Sequence, residues 1–144
     1  MPEVVRSIEI NARPSGVWRW LATQEALRRW ISPNLEIDLV VGGAYRFQGP
    51  DGQTWITGRV LEFVPEGRLV LSWMEEGSDW IHPARLLVTL AASPVGTHVT
   101  LVHDGFAGIG KPGWPDTVQD YEQGADAHRI LEKLAALVIE GVIA

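Results

Sequence analysis

The last thirty residues constrain the fold more than any other part of the chain. From Asp116 to the C-terminus the sequence has no proline, and its apolar residues recur at the spacing of an amphipathic helix. Asp116 and Asp120 near the start of this stretch, with Lys133 later, suit the dipole of such a helix. The pattern predicts one helix of about 25 residues, about 37 Å long at 1.5 Å per residue. Such a helix would match the width of a whole domain.

The preceding chain has mainly the period of two that is typical of β-strands. A strand over 4–11 and two short helices, over about 14–22 and 24–31, come first, and six strands follow between Leu35 and His103. This order predicts an α+β fold in which a curved antiparallel sheet of about six to seven strands wraps around the terminal helix. Strand 54–64 has apolar residues on both of its faces, so its alternation does not show which face is buried. We interpret Gly58 as a β-bulge that moves the apolar residues on either side of it to one face.

Composition narrows the class of protein. The 144 residues suggest one domain, 1–144, and the absence of cysteine excludes disulfides and thiol chemistry. The formal net charge is −6 and no basic cluster occurs, which argues against nucleic acid as a partner. Neither a signal-peptide pattern nor an apolar run long enough for a membrane span is present. We therefore expect a cytoplasmic protein without a membrane partner.

Several short segments, in the same order along nearly the whole chain, resemble one known family. They are Ile8 to Trp18, Leu27 to Trp30, Val41 to Phe47, Gly58 to Pro65, Leu69 to Trp73 and Leu131 to Leu137. Together they are similar to the Hsp90-ATPase-activator-like group of the START and birch-pollen-allergen-like helix-grip superfamily (SRPBCC). One departure is that Gly124 is followed by Ala125, where the family usually has a Gly-Trp pair.

The resemblance implies a helix-grip fold with a cavity between sheet and terminal helix, and it leaves the activity open. The first hypothesis is noncatalytic binding of a small hydrophobic or aromatic molecule in that cavity. The alternatives are an activator of an Hsp90-type chaperone ATPase with a role in stress response, and a polyketide-cyclase-like enzyme. We expect no cofactor, and a monomer or weak homodimer whose partner is a small apolar molecule or, in the alternative, a chaperone.

Tryptophan is abundant, with seven residues against two tyrosines. Because so many indoles are hard to pack into a filled core and each N–H needs a partner, we interpret several of them as cavity walls, with ordinary core packing as the alternative. The predicted ligand cavity consists of Trp30, Tyr45, Phe47, Trp73, Trp80, Leu86, Val88, Leu101, His103, Tyr121, Ala125 and His128.

The four histidines show no metal-ligand spacing, so we predict no metal site. By strand parity His103 points inward and His98 outward, while His128 lies near the inner stripe of the terminal helix. If the protein is an enzyme, His103 and His128 are the candidate acid–base groups. The alternative is a hydrogen-bonded histidine at the edge of the core. Arg59 could hold a ligand carboxylate or lie on the solvated face.

The glycine-rich segment 105–111 has the spacing of a phosphate-binding loop up to Lys111, but Pro112 replaces the required Ser or Thr. We expect Gly113 and Pro115 to prevent a helix from starting at once, which removes the helix N-terminus that would face a phosphate. The segment is instead interpreted as a mobile loop whose Phe106, Ile109 and Trp114 gate the cavity.

Overall fold

The computed structural model describes residues 3–49 and 51–143 of the chain. The predicted order of one strand, two short helices, six strands and a C-terminal helical region is confirmed. The elements are β1 (Val4–Ile10), α1 (Pro14–Trp18), α2 (Gln24–Arg28), β2 (Glu36–Ile37), β3 (Ala44–Gln48), β4 (Trp55–Val64), β5 (Arg68–Glu75), β6 (Ala84–Ser93), β7 (Gly96–Asp104), a 3₁₀ turn (Phe106–Gly108), α3 (Trp114–His128) and α4 (Ile130–Ile143).

All seven strands form one antiparallel sheet in the order β1-β7-β6-β5-β4-β3-β2. Strands β2 to β7 are a meander, because each pairs with the next strand along the chain. Strand β1 joins at the far end beside β7, with Val4 opposite His103 and Ile10 opposite Thr97. The curved, open sheet around the C-terminal helical region confirms the helix-grip fold.

The parity of β4 is resolved by a bulge, but the bulge lies three residues beyond the predicted position. Ile56 and Val60 are buried on the inner face, and the register with β5 shifts between Val60 and Glu62. The extra residue, Leu61, is exposed, so that Phe63 turns back to the inner face. There its ring centroid lies 5.4 Å from that of Trp18. The assignment of the bulge to Gly58 was therefore wrong.

Gly58 has a different role, because it lies directly opposite Tyr45 in the β3–β4 pair. A Cβ atom at Gly58 would lie 2.6 Å from the Tyr45 ring and 2.1 Å from the Ser72 carbonyl oxygen. The missing side chain lets the Tyr45 ring cross the strand, and its hydroxyl donates to that same oxygen at 2.5 Å. Arg59 beside it is exposed, so its side chain lies on the solvated face.

The C-terminal region is helical as predicted but not continuous. Arg129 adopts a left-handed conformation with φ 50°, and its N–H donates to the Ala125 carbonyl oxygen to close α3. Helix α4 then begins at Ile130. Because arginine is a good helix former, apolar spacing could not reveal this break. The expected delay after Gly113 was also wrong: α3 starts at Trp114, since proline in a first turn lacks only an N–H that has no helical partner there.

Two apolar clusters hold the domain together. The main core lies between the concave face of the sheet, the first two helices and α4, whose Leu131, Leu134 and Val138 are buried. A second, smaller cluster lies below α3 and contains Val4, Trp80, Ala84, Phe106 and Ile109. In the described part of the chain, no helix is both long and apolar enough to cross a membrane.

Candidate ligand-binding cavity

A cavity of about 960 Å³ lies between the sheet and the junction of α3 with α4. Phe47, Leu86 and Leu101 of the inner sheet face line it from one side, and Tyr121 and Ala125 of α3 from the other. Segment 31–34 and the β3–β4 hairpin complete its walls. The space persists because α3 presents Gly124 and Ala125 to it, and side chains this small cannot reach the strands.

A hydrogen-bond chain crosses one side of the cavity. The indole Nε1 of Trp73 donates to the Tyr121 hydroxyl oxygen at 3.0 Å, and that hydroxyl donates to Glu75 Oε2 at 2.6 Å. Burial, and then the bond to Glu75, raise the pKa of Tyr121 far above its ordinary value. The phenol therefore stays protonated and remains a donor to the carboxylate. The chain ties α3 to β5 across the cavity.

His103 lies beside this chain, is only 5% exposed and lines the same cavity. The rings of Trp73, Tyr121 and Phe106 surround it, with centroid distances of 4.7, 4.7 and 4.8 Å. Its Nε2 atom is buried and has no hydrogen-bond partner among the described residues. Burial lowers the pKa of His103 to about 3, so the imidazole is neutral at physiological pH. The protein thus leaves hydrogen-bonding capacity of a neutral ring unused at the cavity wall.

Most of the predicted cavity residues line the cavity that the structure shows. They are Phe47, Trp73, Leu86, Leu101, His103, Tyr121, Ala125 and His128. The inward orientation of His103 and Trp73 follows from strand parity, since Leu101 and Leu71 on the same faces are buried. His128, however, is an exposed residue at the rim, because it occupies the last turn of α3.

Four predicted residues lie outside the cavity walls, because other contacts occupy them. Trp30 and Val88 are packed in the main core, where the Trp30 indole donates to the Trp20 carbonyl oxygen at 2.8 Å. Tyr45 crosses the strand at Gly58, as described above. Trp80 lies in a loop before β6 and packs in the second cluster.

The residues expected to gate the cavity are largely held in place. Phe106 and Ile109 are fully buried in the second cluster, and Trp114 is half-buried against it. The Ile109 carbonyl oxygen accepts hydrogen bonds from the backbone N–H groups of Ile81 at 2.7 Å and His82 at 3.2 Å. These contacts fix the segment to the loop before β6, which corrects the interpretation of a mobile gate.

Glu75 and Arg6 were missed by the sequence analysis although both line the cavity. Glu75 lies two residues after Trp73 in β5 and therefore shares its face. Arg6 shares the face of Val4 and pairs with Asp126 of α3 at 2.9 Å. The alternation of side chains along each strand was the signal that could have identified both residues. Among the described residues, no group of three or more His, Cys, Asp or Glu side chains could hold a metal ion.

A curved antiparallel sheet, a C-terminal helical grip and a cavity between them define a helix-grip domain. The chain belongs to the family described as "Activator of Hsp90 ATPase homolog 1-like protein", which matches residues 11–138. No curated protein matches the chain.

Solved structures share the fold at low sequence identity. Protein MLL2253 from Mesorhizobium loti has a TM-score of 0.78 at 21% identity, covering 96% of this chain and 97% of that one. The Aha1 dimer from Colwellia psychrerythraea has a TM-score of 0.72 at 16% identity, covering 92% and 94%. DynU16, a protein of the dynemicin biosynthetic locus, has a TM-score of 0.77 at 20% identity, and the match covers 98% of this chain but 48% of DynU16.

Proposed function

We propose that this protein binds a small, mainly apolar or aromatic molecule in the cavity without transforming it. The observation that carries the proposal is the cavity itself, about 960 Å³ of open space with Phe47, Leu86, Leu101 and the buried, neutral His103 in its wall. A protein that used this region for packing alone would fill it to the density of its main core. An open space whose surface is mainly apolar, with polar groups placed around it, is instead the usual form of a small-molecule site.

The properties of His103 favour binding over acid–base catalysis. A general base works best when its pKa lies near the operating pH. Because burial lowers the pKa of His103 to about 3, the ring is a very weak base at neutral pH. His128, the other candidate acid–base group, is exposed at the rim. A ring of this kind is suited to orienting a bound molecule.

Binding can be measured with N-phenyl-1-naphthylamine, a neutral apolar fluorophore. We expect saturable one-to-one binding, with quenching of protein emission because Trp73 lines the cavity. In the variant Ala125→Trp, a large side chain would occupy the space, and we expect affinity to fall at least about tenfold, a loss of about 1.4 kcal/mol.

The matched control is Ala136→Trp, which makes the same change at an exposed position of α4. This variant should bind like the unmodified protein. Absence of a saturable response in the unmodified protein, or equal affinity in Ala125→Trp, would count against the proposal.

The family description favours a second function, stimulation of an Hsp90-type chaperone ATPase. The test is the steady-state ATPase rate of the Hsp90 from the same organism, with and without excess protein. An increase of several-fold supports this function, and an unchanged rate removes it. The result is independent of the binding experiment, because the cavity is internal to the domain while a chaperone would contact its surface.

A further inference from the structure

We propose that the cavity selects its ligand by charge and donor character. Ring compounds that carry a neutral hydroxyl or a cationic amine bind, and the corresponding carboxylates are rejected. This inference rests on the proposed function, since it specifies the chemical class that the same cavity would take.

The charged residues of the cavity wall are the first support. Five carboxylates line it, against three cations, Arg6, Arg129 and Lys133; the carboxylates are Asp51, Glu75, Asp120, Asp126 and Glu132. Two of the three cations already have acidic partners: Arg6 is 2.9 Å from Asp126, and Arg129 is 4.0 Å from Glu132. The carboxylates exceed the cations by two, so a bound anion enters a site of net negative charge.

Glu75 gives the inference a specific contact. Its Oε2 accepts the Tyr121 hydroxyl at 2.6 Å, and among the described residues Tyr121 is the single side-chain donor to this carboxylate. An ionised carboxylate has about four acceptor sites on its two oxygens. A ligand hydroxyl or ammonium group at this end of the cavity can use the remaining sites. A ligand carboxylate would instead be repelled, more strongly than in water because the surroundings are largely apolar.

His103 and Trp73, which contact Tyr121 beside Glu75, add no positive charge that would reverse this preference. His103 is neutral, because burial lowers its pKa to about 3, and the Trp73 N–H is already donated to Tyr121. His103, Trp73 and Tyr121 contribute aromatic surface to the same wall. Aromatic ring faces attract cations and repel anions. The Glu75 carboxylate and the aromatic surface beside it are thus two independent features that suit a donor on an aromatic body.

The test uses three ligands with one ring system: 2-naphthol, 2-naphthylmethylamine and 2-naphthoate, which at pH 7 are neutral, cationic and anionic. Each is titrated against the full chain by isothermal calorimetry. We expect the naphthol and the amine to bind at least about tenfold more tightly than the naphthoate. Raising the salt concentration should reduce the disadvantage of the naphthoate, because salt screens partly exposed charges.

The near-isosteric variant Glu75→Gln tests whether the charge of Glu75 causes the selectivity. We expect the preference for amine over naphthoate to fall by about tenfold, since one charge is removed from the site. The matched control is Glu76→Gln, because Glu76 pairs with Arg46 and does not line the cavity. Thermal unfolding confirms that each variant is folded, and Asp120→Asn at the mouth provides a second, smaller change of the same sign.

The outcomes separate this inference from the function on which it rests. If 2-naphthoate binds the unmodified protein as tightly as 2-naphthol, the charge selection is wrong while small-molecule binding stands. If none of the three ligands nor N-phenyl-1-naphthylamine binds, the proposed function itself fails. A selectivity ratio that is unchanged in both Glu75→Gln and Asp120→Asn overturns the assignment to the acidic wall.

Discussion

The two helices at the C-terminus, α3 and α4, cover the same sheet in different ways. Helix α4 buries Leu131, Leu134 and Val138 in the main core. In α3, among the residues whose burial is described, Thr117 alone is buried. Helix α3 packs its half-buried Trp114 and Val118 on the second cluster, and its Tyr121 hydroxyl joins the Trp73–Glu75 hydrogen-bond chain. One helix closes the main core with fully buried apolar side chains, and the other leaves the cavity open and is held by half-buried side chains and a hydrogen-bond chain.

The difference shows how one helical region can both stabilise the fold and leave a cavity open. Apolar packing resists voids, so a helix with a continuous apolar stripe leaves no space for a ligand. Small residues on α3, Gly124 and Ala125, create the space, and hydrogen bonds keep the helix in place above it. Stability and the proposed binding therefore depend on different halves of the region.

The comparison predicts, first, that truncation in α4 is far more costly than truncation in α3. Leu134 is fully buried, so Leu134→Ala should lower the free energy of unfolding by about 3 kcal/mol through lost burial and the remaining void. The matched change Val118→Ala, at a half-buried position of α3, should cost about 1 kcal/mol. Urea denaturation measures both, and equal losses would show that the two helices are held alike.

Second, the cavity wall should make stability depend on pH. The pKa of His103 is about 3 in the folded protein against an ordinary 6.5, so the unfolded chain binds a proton at pH values where the folded protein does not. The stabilisation is complete above pH 6.5 and is lost as the pH falls toward 3, by about 2 kcal/mol between pH 7 and pH 5. Urea titrations at both pH values should show this loss.

His103→Gln tests the origin of this pH dependence, because it removes the imidazole and should flatten the decline. The exposed His82 offers a control: His82→Gln should keep the pH dependence of the unmodified protein. If the free energy of unfolding of His103→Gln falls with pH as much as that of the unmodified protein, other groups cause the decline.

Third, Tyr121→Phe should weaken the attachment of α3 without affecting α4. The variant removes the acceptor of the Trp73 N–H and the donor to Glu75, and should cost about 1 kcal/mol. A double-mutant cycle with Glu75→Gln measures the coupling across the cavity. If the two losses simply add, the hydrogen bond does not contribute to holding α3.

Fourth, the junction between the helices should be improved by glycine. Arg129 has φ 50°, a conformation that disfavours side chains. Arg129→Gly should therefore raise the free energy of unfolding by about 0.5 kcal/mol, after allowing for the greater freedom of glycine in the unfolded chain. Lys133→Gly inside α4 should instead lower it by about 1 kcal/mol. A loss in both variants would mean that the left-handed turn is not strained.

The sequence predicted those parts of the site that lie within regular strands. His103 follows Leu101 at a spacing of two in β7, so its side chain had to share the buried face. The same rule does not apply to Trp80, because Trp80 precedes Pro83 in a loop and lies outside β6. Glu75 was missed because its polar character outweighed its parity with Trp73.

The remaining errors concern features that depend on contacts distant in sequence. No local pattern distinguishes Arg129 in a left-handed turn from arginine inside a helix, because the break depends on how α3 and α4 meet the sheet. The same holds for Gly58, where local composition suggested a bulge but the Tyr45 ring occupies the space. Buried Phe106 and Ile109 likewise owe their positions to Trp80 and Ala84, partners that spacing cannot identify.

Because of the break at Arg129, the directions in which side chains project from α3 and from α4 are not linked by one helical repeat. In one continuous helix each residue turns the chain by about 100°, so Tyr121 and Leu131 would be locked about 80° apart around a common axis. A left-handed residue between them removes that constraint. Insertions, deletions or exchanges in α3 can therefore redirect its cavity-facing side chains while the Leu131–Leu134–Val138 seam keeps its position. The shape and chemistry of the cavity wall along α3 are therefore open to change without rebuilding the core beneath α4.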